Sequence, residues 1–100
     1  MINFYECVLV IKQDLSSQEV YNILDKCQIF IENNNCSIIK KEYWGLKNLS
    51  YNIKDNKKGH YIMILVKSSC KNIIKIQNNF HISENIIKYI VLKVKNNSKK

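Results

Sequence analysis

Apolar residues along this chain switch between two periodicities, and the order of these switches limits the fold more than any other feature. Residues 4–12 are rich in β-branched and aromatic side chains and are apolar on both faces, which predicts a central strand. Ser16 and Glu19 then have the spacing of a capping box, a helix start signal. Apolar residues recur at helical spacing after them, so we predict an amphipathic helix over residues 17–33.

The middle of the chain returns to strand-like patterns. Residues 36–44 predict a second strand, and residues 49–53 either extend it or form a loop. Residues 55–59 have the composition of a turn. Residues 60–67 predict a third strand, which contains so few polar residues that it is also expected to be central.

The last third completes the pattern. Ser68 and Ser69 can cap a second helix, and residues 86–94 predict a fourth strand. Strand, helix, strand, strand, helix, strand (βαββαβ) predicts an α+β fold of the ferredoxin-like, split βαβ type, a four-stranded antiparallel sheet with two helices on one face. We expect one domain over residues 1–95 and a basic disordered tail over 96–100.

The formal net charge of +8 is unevenly distributed. Residues 1–39 have a net charge of −3, whereas residues 40–100 have a net charge of +11. This asymmetry points to a polyanionic partner such as nucleic acid, and a lysine-rich solvated surface is the alternative. All 16 basic residues are lysine, which meets phosphate as a point charge, so we expect strongly salt-dependent binding with weak base readout.

Residue sets typical of catalytic or metal sites are missing from the sequence. The four cysteines show no CxxC spacing, and Cys7 and Cys27 lie in apolar patterns that predict buried thiols. His60 and His81 have no acid or cysteine at a catalytic spacing and are expected at the surface or at a sheet edge. We predict no enzyme activity, catalytic residue, metal site, cofactor, small-molecule substrate, signal peptide or membrane span. A small metabolic enzyme or ligand-sensing domain is the alternative of another class.

A more specific pattern lies between residues 42 and 61. It consists of Glu42, Trp44, Gly45, Lys47, Leu49, Ser50, Tyr51 and Ile53, followed by Lys58, Gly59, His60 and Tyr61. Here the chain resembles the bacterial small-subunit ribosomal protein six family, and the resemblance extends over about residues 3 to 95. The family's usual proline after the tyrosine is Asn52 here, and one of its paired basic positions is Leu46.

The resemblance implies a structural component of the small ribosomal subunit. Members bind the central domain of small-subunit ribosomal RNA together with small-subunit ribosomal protein eighteen. The ribosome would be the cytoplasmic ribosome of a bacterium with an AT-rich genome, or an organelle ribosome. The alternative is a stand-alone ferredoxin-like single-strand RNA-binding domain of the RNA-recognition-motif type, whose third-strand signature Lys58 to Tyr61 resemble in part.

Lysines after residue 39 are the candidate phosphate contacts. They are Lys40, Lys41, Lys47, Lys54, Lys57, Lys58, Lys88, Lys93 and Lys95. Candidates for stacking on bases or for contact with a partner protein are Tyr5, Trp44 and Tyr51. Val8 and Val10 predict that a partner or RNA covers the face of the sheet without helices, and the acidic first helix is expected to face away from RNA.

Overall fold

The computed structural model describes residues 2–95, and its elements follow one another in the predicted order. They are β1 (Ile2–Lys12), α1 (Ser17–Asn33), β2 (Ser37–Ile53), β3 (Asn56–Ser69), α2 (Cys70–Ile82) and β4 (Ile86–Val94). The strands form one antiparallel sheet in the order β2-β3-β1-β4. This arrangement confirms the ferredoxin-like α+β prediction, and β1 and β3 occupy the two central positions as expected. The predicted tail over 96–100 lies outside the described residues.

Both helices begin at serine caps. The Ser16 hydroxyl accepts a hydrogen bond from the Glu19 backbone N–H at 3.2 Å, and the Glu19 carboxylate accepts one from the Ser16 N–H at 2.8 Å. This reciprocal pair confirms the predicted capping box. The hydroxyl of Ser69 accepts from the Asn72 N–H at 3.2 Å and caps α2. These caps satisfy N–H groups that have no partner within the helix.

The core lies between the sheet and the helices. Alternate residues of β1 (Cys7, Leu9 and Ile11) and of β3 (Ile62, Ile64 and Val66) are buried there. Apolar stripes of α1 and α2 pack onto them, with Val20, Leu24, Cys27 and Ile31 from α1 and Ile73, Ile76 and Phe80 from α2. The opposite parity of the strands forms what we call the helix-free face, which contains Val8, Val10, Met63, Leu65, Ile90 and Leu92.

The β2–β3 hairpin is longer than the sequence predicted. The turn was expected at 55–59, but it lies at Lys54 and Asp55, which adopt positive φ values of 48° and 67°. β2 continues through Gly45, at φ 100°, to Ile53, which confirms the alternative in which residues 49–53 extend the second strand. β2 is an edge strand with most of its side chains exposed, so it carries no alternation of apolar residues that would have revealed its length.

His60 is buried, in contrast to the surface or edge position expected from the sequence. It is 3% exposed; its Nδ1 lies 2.7 Å from the Tyr43 hydroxyl and its Nε2 lies 2.9 Å from the Leu15 carbonyl oxygen. Both contacts are satisfied when Nε2–H donates to Leu15 and Nδ1 accepts from Tyr43. The ring therefore links β2 and β3 to the segment before α1, through partners that are distant in sequence. His81 is exposed, as expected.

Part of the helix-free face is covered from within the chain. Val10 is buried, and one of its methyl groups fills the space where a side chain at Gly59 would lie. A methyl group of Leu49, from the hairpin, lies next to the same position. Ile90 and Leu92 on β4 remain exposed. The prediction that something else covers this face therefore stays open for the β4 side.

The four cysteines differ in exposure. Cys7, Cys27 and Cys36 are buried, which confirms the prediction for the first two, and Cys70 is exposed. Burial raises the pKa of Cys7 to about 12 and that of Cys27 to about 11. The pKa of Cys70 is lowered, chiefly by the hydrogen bond that the Tyr5 hydroxyl donates to its sulfur.

We expect Ellman's reagent at about pH 8 to label one thiol rapidly in the native protein, because reaction requires an accessible thiolate. The fast phase belongs to Cys70, and the remaining thiols react only after unfolding in urea. Absorbance at 412 nm during labelling, with and without urea, measures both phases. Cys70→Ser is the control and should abolish the fast phase; a fast phase that persists in this variant would contradict the structure.

Candidate nucleic-acid interface

All of the lysines predicted as phosphate contacts are exposed, and the structure divides them into three groups. The first group lies at the end of the β2–β3 hairpin. Lys54 is in the turn, and Lys57 and Lys58 begin β3. We call these three residues the hairpin lysines. Because they lie within five positions of each other, they form a dense patch of positive charge at one end of the sheet.

Two side chains outside the lysine set hold the backbone of this hairpin. The Asn56 side chain accepts from the Gln13 N–H at 2.9 Å and donates to the carbonyls of Ile53 and Lys54 at 3.2 and 2.9 Å. The Gln13 side-chain oxygen accepts from the N–H groups of Lys57 and Lys58 at 3.3 and 3.1 Å. The sequence does not predict these contacts: a lone glutamine after a strand has no recognisable signal, and Asn56 is predicted only as one residue of the 55–59 turn.

A second group of lysines lies on the helix-free face. Lys40 is paired with Leu65, Lys47 with Gly59 and Lys88 with Val10 across neighbouring strands. Paired residues of antiparallel strands project to the same face of the sheet. The three lysines therefore lie on the same face as the exposed apolar residues of β4.

The remaining three lysines lie outside both of these groups. The Lys41 ammonium lies 3.9 Å from the Asp25 carboxylate of α1 and also contacts the Gln28 side chain. Lys41 and Lys40 lie on opposite faces of the sheet, because successive residues of a strand project to opposite sides. Lys93 is paired with Tyr5, on the helix side of the sheet, and Lys95 is exposed just after β4.

The three aromatic residues predicted as contacts differ in exposure. Trp44 is 43% exposed and Tyr51 is 64% exposed. Tyr5 is 7% exposed and belongs to the core, so its ring is not available for stacking in this structure. Its position follows from the parity of β1, which it shares with Cys7. Each exposed ring has a lysine beside it: the Lys47 ammonium lies 5.8 Å from the Trp44 ring centroid and the Lys88 ammonium 5.8 Å from that of Tyr51.

A cleft of about 410 Å³ lies between α1 and α2. Its lining residues are Ile23, Lys26, Cys27, Phe30, Asn79, Ile82, Ser83 and Ile86, without a histidine or a carboxylate. Over residues 2–95 no group of histidine, cysteine, aspartate and glutamate side chains is arranged to hold a metal ion. In the same part of the chain, no helix is long and apolar enough to cross a membrane.

Comparison with protein families gives one match over almost the whole chain. A family model described as Ribosomal protein S6 matches residues 4–93. Small ribosomal subunit protein bS6 of Rickettsia prowazekii (strain Madrid E) is 39% identical over 92 residues, which are 92% of this chain and 76% of the relative. The corresponding protein of Rickettsia canadensis (strain McKiel) is 40% identical with the same coverage of both chains, 92% and 76%.

Comparison with solved structures agrees with the fold. The crystal structure of 30S ribosomal protein S6 from Thermotoga maritima superposes with a TM-score of 0.88 and 22% sequence identity. The superposition covers 94% of this chain and 89% of the other. At this level of identity the likeness supports the ferredoxin-like fold alone.

Proposed function

Because the chain belongs to the ribosomal protein S6 family, a structural and non-enzymatic family of the small ribosomal subunit, we propose that it binds the central domain of small-subunit ribosomal RNA. We further propose that it binds as a pair with small-subunit ribosomal protein eighteen. The relatives from Rickettsia are bacterial. The proposed location is the ribosome of a bacterium with an AT-rich genome, or an organelle ribosome.

The observation that carries the RNA-binding proposal is the separation of charge in the fold. The hairpin lysines and the lysines of the helix-free face lie at one end and on one face of the sheet. The exposed acids Glu19, Asp25 and Glu32 lie on α1, which packs against the opposite face. A polyanion is therefore attracted to the hairpin and to the helix-free face and repelled from α1.

Exposed apolar side chains support the partner-protein part of the proposal. Ile90 and Leu92 lie on the helix-free face at the β4 edge of the sheet. Apolar contact area beside a basic surface suits a protein that binds next to the RNA. The recognition-motif alternative needs stacking aromatics on the central strands of this face, where Phe4 and Tyr61 lie among Val8, Val10, Met63 and Leu65, so it stays the alternative.

We expect the protein to co-sediment with small ribosomal subunits from lysate of the source organism. We also expect purified protein eighteen to tighten its binding to a transcript of the central domain. Sucrose-gradient immunoblots test the first expectation, and fluorescence anisotropy of labelled transcript, with and without protein eighteen, tests the second.

A labelled transcript of another rRNA domain, at the same salt concentration, is the control for non-specific attraction. Equal affinity for both transcripts in the presence of protein eighteen would contradict the domain assignment. A protein found wholly outside ribosomes would contradict the functional proposal itself.

A further inference from the structure

Trp44, the single tryptophan of the chain, occupies an irregular position in β2. The register between β2 and β3 shifts between Tyr43 and Gly45, and Gly45 adopts a φ of 100°. A bulge of this kind changes the direction in which a side chain projects from the sheet. The result is a large aromatic side chain that remains 43% exposed at the sheet edge.

Hydrogen bonds within the chain fix the orientation of this ring. The indole N–H of Trp44 donates to one carboxylate oxygen of Glu42 at 2.8 Å, and the Lys40 ammonium lies 3.1 Å from the other oxygen. The indole N–H first, and then Lys40, lower the pKa of the Glu42 carboxyl, because both contacts favour its charged form. The ring is therefore held in advance of any binding event, which lowers the entropy cost of contact.

The polar atom of Trp44 is thus already used within the chain. A tryptophan that enters a protein partner's pocket usually needs a hydrogen-bond acceptor from that partner. The Lys47 ammonium lies over one face of the ring, so the opposite face and the outer edge remain to be contacted. Stacking of a planar group uses such a face and requires no further hydrogen bond.

Charge around the ring identifies the kind of planar group. The Lys47 ammonium lies 5.8 Å from the Trp44 ring centroid and 5.9 Å from the ring centroid of Tyr61. With Lys40 and Glu42, the ring has charged neighbours, whereas the centres of protein–protein interfaces are depleted of charge. An aromatic face with an adjacent ammonium fits a nucleobase and its flanking phosphate.

We propose that Trp44 stacks on an unpaired nucleobase of the bound RNA and that Lys47 contacts the phosphate beside this base. The inference rests on the proposed rRNA-binding function and adds one base-contacting residue to it. The inference also limits which nucleotides the site can distinguish. A π-face accepts every base, so the site selects an unpaired nucleotide and not a particular sequence.

The single tryptophan makes a direct test possible. The probe is the central-domain transcript of small-subunit rRNA from the source organism, added to the full chain together with protein eighteen. We expect stacking to quench most of the Trp44 fluorescence. We expect Trp44→Leu to weaken binding about tenfold by anisotropy of labelled transcript, because the variant loses the aromatic face on which one base stacks. Trp44→Phe should stay within about threefold of wild type, because it keeps an aromatic face.

A matched variant tests the role of Lys47. Lys47→Gln should reduce the slope of log K against log salt by about 0.7, the value for a phosphate of a single strand. Circular dichroism of every variant should match the wild type, because both side chains are exposed. An unchanged salt slope would contradict the phosphate contact.

Other outcomes would overturn the inference in distinguishable ways. Wild-type affinity in Trp44→Leu, or binding without quenching, contradicts stacking while the proposed function stands. A blue shift of emission on adding protein eighteen alone, retained in the complex, assigns the ring to a protein contact instead. Absence of rRNA binding by the wild type would overturn the proposed function and the stacking inference together.

Discussion

Replacing the hairpin lysines Lys54, Lys57 and Lys58 with glutamine is expected to weaken rRNA binding roughly 100-fold at about 0.15 M salt. Each lysine that neutralises one phosphate of duplex RNA releases close to one counterion, so the salt slope should fall by about 2.7 for the three. The Gln13 and Asn56 side chains hold the hairpin backbone through contacts that do not involve the lysine side chains. The loss should therefore be electrostatic, with the fold intact.

The control has the same change in net charge at lysines on the helix layer. Lys26, Lys71 and Lys75 are exposed on α1 and α2, and their triple replacement by glutamine also lowers the net charge from +8 to +5. We expect this control to weaken binding less than about fivefold, because charges more than a Debye length of about 8 Å from phosphate are largely screened. Anisotropy titrations at several salt concentrations measure both triples. Equal losses would show that net charge, and not contact at the hairpin, drives binding.

How far the sequence predicts this fold depends on whether an element has one buried face. The bounds predicted for α1 and β4 agree with the structure. Both elements carry regular apolar positions, and α1 also has a capping pair. β2 has neither, because an edge strand that is mostly exposed needs no alternation. Its length is set by pairing with β3, which is a tertiary property.

Prediction of the candidate site from the sequence is limited in the same way as prediction of the fold. Lysine content after residue 39 predicted a basic surface, and the lysines are exposed. Which of them share a surface depends on register: Lys40 lies on the helix-free face, whereas Lys41 contacts Asp25 of α1. Register shifts in β2 at Ile38/Lys40 and Tyr43/Gly45 determine on which face of the sheet each side chain lies. No local sequence pattern predicts these shifts. Burial of His60 was missed for a related reason, since its partners are remote in sequence.

Replacing Gly59 with alanine is expected to lower the free energy of unfolding by about 2–3 kcal/mol, as overpacking of a closely packed buried site does. A Cβ at this position would lie 2.3 Å from a methyl carbon of Val10. Val10 is buried in the central strand and its β-branched side chain has few alternative rotamers, so it cannot turn away cheaply. Urea unfolding followed by circular dichroism measures the loss as a lower midpoint at unchanged m-value.

A double-mutant cycle with Val10→Ala identifies the clash as the cause. Val10→Ala alone should cost about 1–2 kcal/mol, because it removes buried methyl groups. In the double variant the methyl group that Gly59→Ala introduces occupies the space that the valine side chain vacates. The combined loss should therefore be at least about 1 kcal/mol smaller than the sum of the two single losses.

Gly45→Ala is the matched control for this cycle. Its Cβ would meet nothing within 4 Å, but the φ of 100° disfavours any side chain, so we expect a cost of about 1–2 kcal/mol. That cost should add to the cost of Val10→Ala without coupling, because the strain at Gly45 does not involve the valine. If the costs of Gly59→Ala and Val10→Ala also added without coupling, the close approach of Gly59 to Val10 would not be the reason that position 59 needs glycine.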